Sequence, residues 1–253
     1  MTSKIGIIGG SGLDNLDIFQ NAHDTYRGTC WGEPSSPVRE GELAGVPVAI
    51  LARHGRNHTI PPSAVNYRAN IQVLKDLGCT HVLATSAAGS LREEIKRGDL
   101  VLVDQFIDFT KQRKMTFHDT FPTEPIHTAM ADPFDATLRA ILIKHCQQLG
   151  FSFHPTGTVV TIEGPRFSTR AESRMFRLFG ADIINMSIAT EAALANEAAL
   201  PYAVIGMSTD YDCWKEDEVP VSWEEISRVF KANAEKVTAL LVDVVPAIAA
   251  ENV

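Results

Sequence analysis

The sequence predicts an α/β fold, a single domain with a central mixed β-sheet flanked by helices. Short β-branched or apolar runs alternate with longer segments of helical spacing, the pattern of strands joined through helices. No repeat, low-complexity tract or obvious linker divides the chain, so residues 1–253 are expected to form one domain. Glycine-rich, hydroxyl-rich or charged strings follow several of the apolar runs, and strand ends are where open α/β sheets collect ligands.

Residues 4–8, 46–51, 81–85, 100–103, 158–162, 183–185 and 202–207 read as buried strands, because each is apolar and too short for a helix. Residues 64–77, 132–149, 168–179, 190–198 and 222–250 have helical spacing. Asp132 before Pro133 offers a capping carboxylate and a proline at the first helical position, where a missing N–H costs nothing. Ser222 followed by Glu225 makes a capping-box pattern, with acidic residues at the positive end of the helix dipole. Ser168 is expected to cap the helix that follows it.

Composition narrows the function. The 253 residues carry 23 basic and 31 acidic side chains, a net charge of −8, and 45% are hydrophobic. A chain of this length hides roughly three quarters of the surface its unfolded form exposes, enough for a core without staples. The acidic balance and the lack of a Lys/Arg block argue against nucleic acid or an anionic membrane as partner, while leaving room for a small anion in a local pocket. Neither a secretory h-region nor a membrane-length apolar stretch is present, so a soluble chain that begins here is expected. Cys30, Cys79, Cys146 and Cys213 lie far apart with no CxxC pair, which suggests a reducing, cytoplasmic setting and neither zinc nor a disulfide framework.

Five strings carry candidate chemistry. Gly9-Gly10-Ser11-Gly12 lets backbone N–H groups approach an anion, with Ser11 adding a hydroxyl; a tight turn is the equal alternative, and the spacing matches neither a dinucleotide fingerprint nor a P-loop. Arg53-His54-Gly55-Arg56-Asn57-His58 concentrates cationic and imidazole groups in an acidic protein, where the Arg53 fork can grip two phosphate oxygens; a solvated basic loop is the bland alternative. Thr85-Ser86-Ala87-Ala88-Gly89-Ser90 reads as a second small, hydroxyl-rich loop, or as an ordinary turn. Around Phe167 and Ser168, an aromatic near a strand-to-helix junction can stack on a heterocycle or simply fill core, while Glu163 and Arg166 are positioned to pair with each other. Asp210 and Asp212 at a strand's end can make a capping turn, or, if the backbone remains extended, fall on one side of it; two carboxyls at close range raise one pKa, giving an acid that can protonate a leaving group.

Together these strings resemble the methylthioadenosine phosphorylase branch of the trimeric purine nucleoside phosphorylase family. The resemblance runs from about residue 5 to residue 245 and rests on IGIIGGSGL, LARHGRNHTIPPSAVNYRANI, GSLREEI, DQFIDFT, VTIEGPRFSTRAES, NMS and STDYDCW in order. It implies a purine nucleoside phosphorylase-like single domain, a homotrimer, and phosphorolysis of 5′-methylthioadenosine to adenine and 5-methylthioribose 1-phosphate, with no metal or organic cofactor. The implied phosphate site is Ser11, Arg53, His54, Ser86, Ala87 and Ser187. Phe167 and Ser168 would hold the purine, with Asp210 and Asp212 on its edge, and Met186 would lie under the ribose. His58, Trp223 and Ile226 would border the 5′ group, and His127 would come from a neighbouring subunit.

For that reaction Asp212 is the candidate to protonate purine N7, while Asp210 would accept from the 6-amino group or hold the arrangement; two carboxyls there favour adenine, and protonation would let a 6-oxo base in. The short C-terminus and Trp223 depart from relatives with a longer tail and a smaller residue, and leave open how large a 5′ group fits. The rival expectations are a purine nucleoside or methylthioinosine phosphorylase, a non-catalytic nucleoside or phosphate binder, and, more distantly, a dinucleotide-dependent oxidoreductase.

Overall fold

Alternating side chains turn the central strands into a partition between two cores. The structure, a computed structural model, describes residues 3–9, 19–121, 123–217 and 223–251, with the backbone alone for residues 223, 225–227 and 230–232. Its strands are β1 (Ile5–Gly9), β2 (Gln20–Thr25), β3 (Val38–Leu43), β4 (Val46–Ala52), β5 (His81–Ser90), β6 (Leu100–Leu102), β7 (Gln105–Phe109), β8 (Phe153–His154), β9 (Thr158–Ile162), β10 (Ile183–Asn185) and β11 (Tyr202–Asp210). The helices are α1 (Tyr67–Asp76), α2 (Ala136–Gln148), α3 (Arg170–Leu178), α4 (Ile188–Glu197) and α5 (Trp223–Ala250).

One 11-stranded mixed sheet runs in the order β2-β3-β4-β1-β5-β10-β9-β7, with β11 also on β5, β6 on β11 and β8 on β6. The centre, β4-β1-β5-β11, is parallel, whereas β10 meets β5 antiparallel. Successive residues of a strand face opposite ways. Ile8, Val82, Ala84 and Val204 therefore join one core with Ile71 and Leu74 of α1 and Ile188 and Leu194 of α4. Ile7, Leu83, Ala203 and Ile205 join the other, with Leu138 and Leu142 of α2 and Leu241 and Val244 of α5. The expected α/β class is borne out as a sheet with helices on both faces.

Local chemistry moves several expected boundaries. Asp132 does not cap α2: Asp135 does, accepting from Leu138 N, because Phe134 packs on Tyr202 and the Asp135 N–H donates to the Tyr202 carbonyl, which holds the preceding turn out of the helix. Ser168 does not cap α3 either; Thr169 and Glu172 form a reciprocal capping box, freeing the Ser168 hydroxyl. Segment 64–77 divides into a short 3₁₀ turn at Pro62–Ala64 and α1, capped by Asn66. Helix α5 begins where expected, although its proposed cap Ser222 lies outside the described residues. The hydroxyl-rich string 85–90 is not a loop: β5 continues through it to Ser90, paired with β11 and β10.

Candidate active site

Strand ends and the turns after them enclose a cavity of about 480 Å³, a size ordinary for a small-molecule site. One end is cationic and hydroxyl-rich, lined by Arg53, His54, Ser86, Ala87 and Ser187. The other is acidic and apolar, lined by Asp210, Asp212, Ser168, Phe167, Ile162 and Ile184. His58, Met186 and the turn 59–62 lie along it as well.

At the cationic end, β4 delivers Arg53 into the interior, where it is 2% exposed. Its fork is not open to the cavity as expected. Nε and Nη2 donate to the two oxygens of Glu191 at 2.5 and 2.9 Å, and Nη1 donates to the Thr85 carbonyl at 2.9 Å. Burial alone would lower the Arg53 pKa, but the Glu191 carboxylate outweighs it and holds the pKa above the ordinary value. Tyr202 donates its hydroxyl to the same carboxylate at 2.9 Å, and burial raises its own pKa well above the usual range.

The two serines of this end are set by Asn185. Ala189 N donates to Thr161 Oγ1, so the Thr161 hydroxyl donates to Asn185 Oδ1 at 2.8 Å and fixes the amide's orientation. Its Nδ2 then faces Ser86 Oγ at 3.0 Å and Ser187 Oγ at 3.4 Å. Ser187 occupies the N-cap position of α4 without making a side-chain capping bond, so its hydroxyl stands at the positive end of that helix.

The turn after Arg53 reverses through left-handed backbone at Gly55 and His58, φ 73° and 52°. His54 Nδ1 donates to the Ile60 carbonyl at 2.9 Å, and its ring lies 4.6 Å from that of His58. Burial and the Arg53 charge push the His54 pKa down to about 4 and lower that of His58.

At the acidic end the backbone does not remain extended. Strand β11 stops at Asp210, and Asp212 opens a 3₁₀ turn with φ 46°, yet both carboxyls line the cavity. Asp210 accepts from Thr209 Oγ1 and from Asp212 N, each at 2.8 Å. The Ser168 hydroxyl lies 2.8 and 2.7 Å from the two oxygens of Asp212. Burial raises both carboxyl pKa values, and the Asp212 charge contributes to the rise at Asp210. Phe167 keeps 44% of its surface exposed at the cavity mouth, so it is not core. Glu163 and Arg166 do not pair: Glu163 binds Arg113, and Arg166 binds Glu172.

Thus Arg53, His54, Ser86, Ala87, Ser187, His58, Phe167, Ser168, Met186, Asp210 and Asp212 line one cavity. His127 is exposed, packs on Phe121 at 5.9 Å between centroids, and does not line it. Ser11 lies outside the described residues, as do the side chains of Trp223 and Ile226. Sequence reasoning gave no role to Glu191, nor to Asn185 and Thr161 within the quoted strings; the fold joins them to Arg53, Ser86 and Ala189, 138, 99 and 28 positions away. Among the described residues no group of three or more His, Cys, Asp or Glu is placed to hold a metal, and no helix is long and apolar enough to cross a membrane.

A sheet of this topology with an oxyanion-friendly pocket facing a carboxyl pair defines a class, and the sequence agrees with it. The Phosphorylase superfamily model matches residues 4–246, and the chain belongs to that superfamily. It is 52% identical over 248 residues to S-methyl-5′-thioadenosine phosphorylase of Danio rerio, covering 97% of this chain and 89% of that one. The Thermofilum pendens protein of the same name is 51% identical over 251 residues, 98% of this chain and 94% of that one. Among solved structures, methylthioadenosine phosphorylase from Schistosoma mansoni in complex with adenine superposes with a TM-score of 0.94 at 41% identity, covering 99% of this chain and 93% of the other. A mutant of the Schistosoma mansoni adenosine/methylthioadenosine phosphorylase in complex with methylthioadenosine gives 0.93 at 40% identity, with the same coverage. The family expected from the sequence strings is borne out.

Proposed function

We propose that this protein is a pentosyltransferase that cleaves 5′-methylthioadenosine with inorganic phosphate, releasing adenine and 5-methylthioribose 1-phosphate. The observation that carries the reading is the single cavity with an Arg/His/Ser end facing a buried carboxyl pair. About half the residues are identical to those of relatives named for this activity.

Breaking an N-glycosidic bond leaves an electron-rich purine and a sugar with oxocarbenium character, as in glycoside hydrolysis. Asp212, whose pKa burial raises, supplies the proton to N7 and prevents a bare purine anion from leaving. Asp210, held by Thr209 and the Asp212 N–H, accepts from the 6-amino group. Phe167 stacks on the base, Ser168 holds Asp212, Met186 lies under the ribose, and His58 borders the 5′ substituent.

Phosphate binds at Ser86, Ala87, Ser187, His54 and the remaining Arg53 donors, with Ser11 completing the set. From there it stabilises the cationic sugar and attacks the anomeric carbon, so positioning supplies much of the rate. Because Glu191 takes the bidentate edge of Arg53, the arginine meets phosphate through its outer nitrogens. The reaction needs phosphate as co-substrate and no metal or organic cofactor. A homotrimer in the cytoplasm completes the reading, with His127 of one copy, exposed and not lining its own cavity, reaching a neighbour's 5′ end. Purine and methionine salvage is the corresponding role.

Steady-state comparison of methylthioadenosine, adenosine, methylthioinosine and inosine tests the base and 5′ assignments. The highest kcat/KM is expected for methylthioadenosine; preference for an inosine would reverse the role given to Asp210. Sedimentation of a fully active monomer would remove the trimer.

A further inference from the structure

His54 stands where the oxyanion would bind, and its ring is already oriented. Nδ1 lies 2.9 Å from the carbonyl oxygen of Ile60, which can only accept, so Nδ1 carries a hydrogen. In a neutral imidazole the other nitrogen is then an acceptor. No described residue bonds Nε2, while the ring lines the cavity beside Arg53 and Ser86.

We propose that His54 determines which oxyanion the site takes: its Nε2 accepts a hydrogen bond and so selects an anion that carries its own proton, hydrogen phosphate, against fully deprotonated sulfate. The inference rests on the phosphate site described under the proposed function and adds the basis of its selectivity.

The groups facing His54 support the neutral form. Arg53 is adjacent, the His58 ring packs at 4.6 Å, and the Arg113 charge acts in the same direction from the segment after β7. Glu191 and Glu163 offset those arginines but are themselves engaged in bonds to them. With burial added, the imidazole stays neutral until about pH 4. Hydrogen phosphate brings the proton that bridges it to Nε2. Sulfate brings none, so the imidazole must first take one from water, at a cost that grows about tenfold in binding for each pH unit above its pKa. Arsenate, protonated like phosphate near neutrality, is expected to be accepted.

The test measures inhibition by sulfate against phosphate from pH 6 to pH 8.5, with arsenate replacing phosphate as a control, in the wild type, His54→Asn and His54→Gln. In the wild type, sulfate is expected to bind at least about tenfold more weakly than phosphate at pH 7.5, and to tighten as pH falls, approaching about tenfold per unit. His54→Gln brings a permanent N–H donor near the Nε2 position and should narrow the sulfate-to-phosphate ratio and flatten its pH dependence; the shorter Asn reaches only the Nδ1 position, removes the acceptor, and should flatten the pH dependence alone. The wild-type pH series stands on its own if a variant fails to fold. Phosphate-dependent base release with sulfate binding as tightly as phosphate at every pH overturns this inference alone. Base release that ignores phosphate overturns the proposed function and this inference with it.

Discussion

Arg53 and Glu191, 138 positions apart, form a two-pronged ion pair with side chains 2% and 0% exposed at the wall of the cavity. Removing one partner of such a pair is costly because the other is left as a buried, unpaired charge. Glu191→Ala leaves an uncompensated buried guanidinium and is expected to cost about 3–5 kcal/mol in urea unfolding. Glu191→Gln keeps the volume and should lose less stability, while releasing the Arg53 fork and changing the KM for phosphate more than that for nucleoside. Unchanged stability in Glu191→Ala would contradict the pairing.

Asp212→Asn preserves shape but removes the transferable proton. Turnover should fall by about a hundred- to ten-thousandfold with little change in unfolding midpoint, the range usual for loss of a general acid. Normal turnover in this variant would show that the proton comes from elsewhere.

The pH dependence follows from the same carboxyl. Its folded pKa lies above the ordinary 3.8, chiefly because burial disfavours the charged form. In the proposed role of general acid it would work when protonated, so kcat should decline as pH rises through that raised value. The native state also holds a proton there that the unfolded chain has released, so this group makes stability fall as pH climbs from 3.8 through the raised pKa. Ser168 donates to the carboxylate and favours ionisation, so Ser168→Ala should shift the alkaline limb of the rate profile upward. A shift downward would reverse the assigned role of that hydroxyl.

Gly89 leaves space for the acidic end. A Cβ there would sit 2.9 Å from Asp210 Oδ1 and 3.1 Å from Ile184 Cγ2. Gly89→Ala is therefore expected to displace Asp210 and raise the KM for nucleoside while phosphate binding changes little. Equal losses for both substrates would indicate a general collapse of the cavity.

The central strands were legible because burial on both faces writes them as unbroken apolar runs, as in Ile5-Gly6-Ile7-Ile8. The outer strands were not. In β2, Gln20–Thr25 lacks such a run, and β3 has only Val38 and Leu43 buried, so backbone pairing decides their structure. The end of β5 reads as a loop in sequence because Ser86 to Ser90 are small, the feature that lets β10 and β11 pack closely against it. In the site, His54, Phe167 and Asp212 stood out as chemistry clustered after apolar runs. Glu191 did not, since an acidic residue in α4 reads as solvent-facing until the fold sets Arg53 opposite it.

The central claim is tested most directly by incubating the protein with methylthioadenosine, with and without phosphate, while following adenine and the sugar phosphate. The expected result is adenine release that requires phosphate and yields 5-methylthioribose 1-phosphate in equal amount. Release of adenine at the same rate without phosphate, or tight purine binding with no release in its presence, would contradict it.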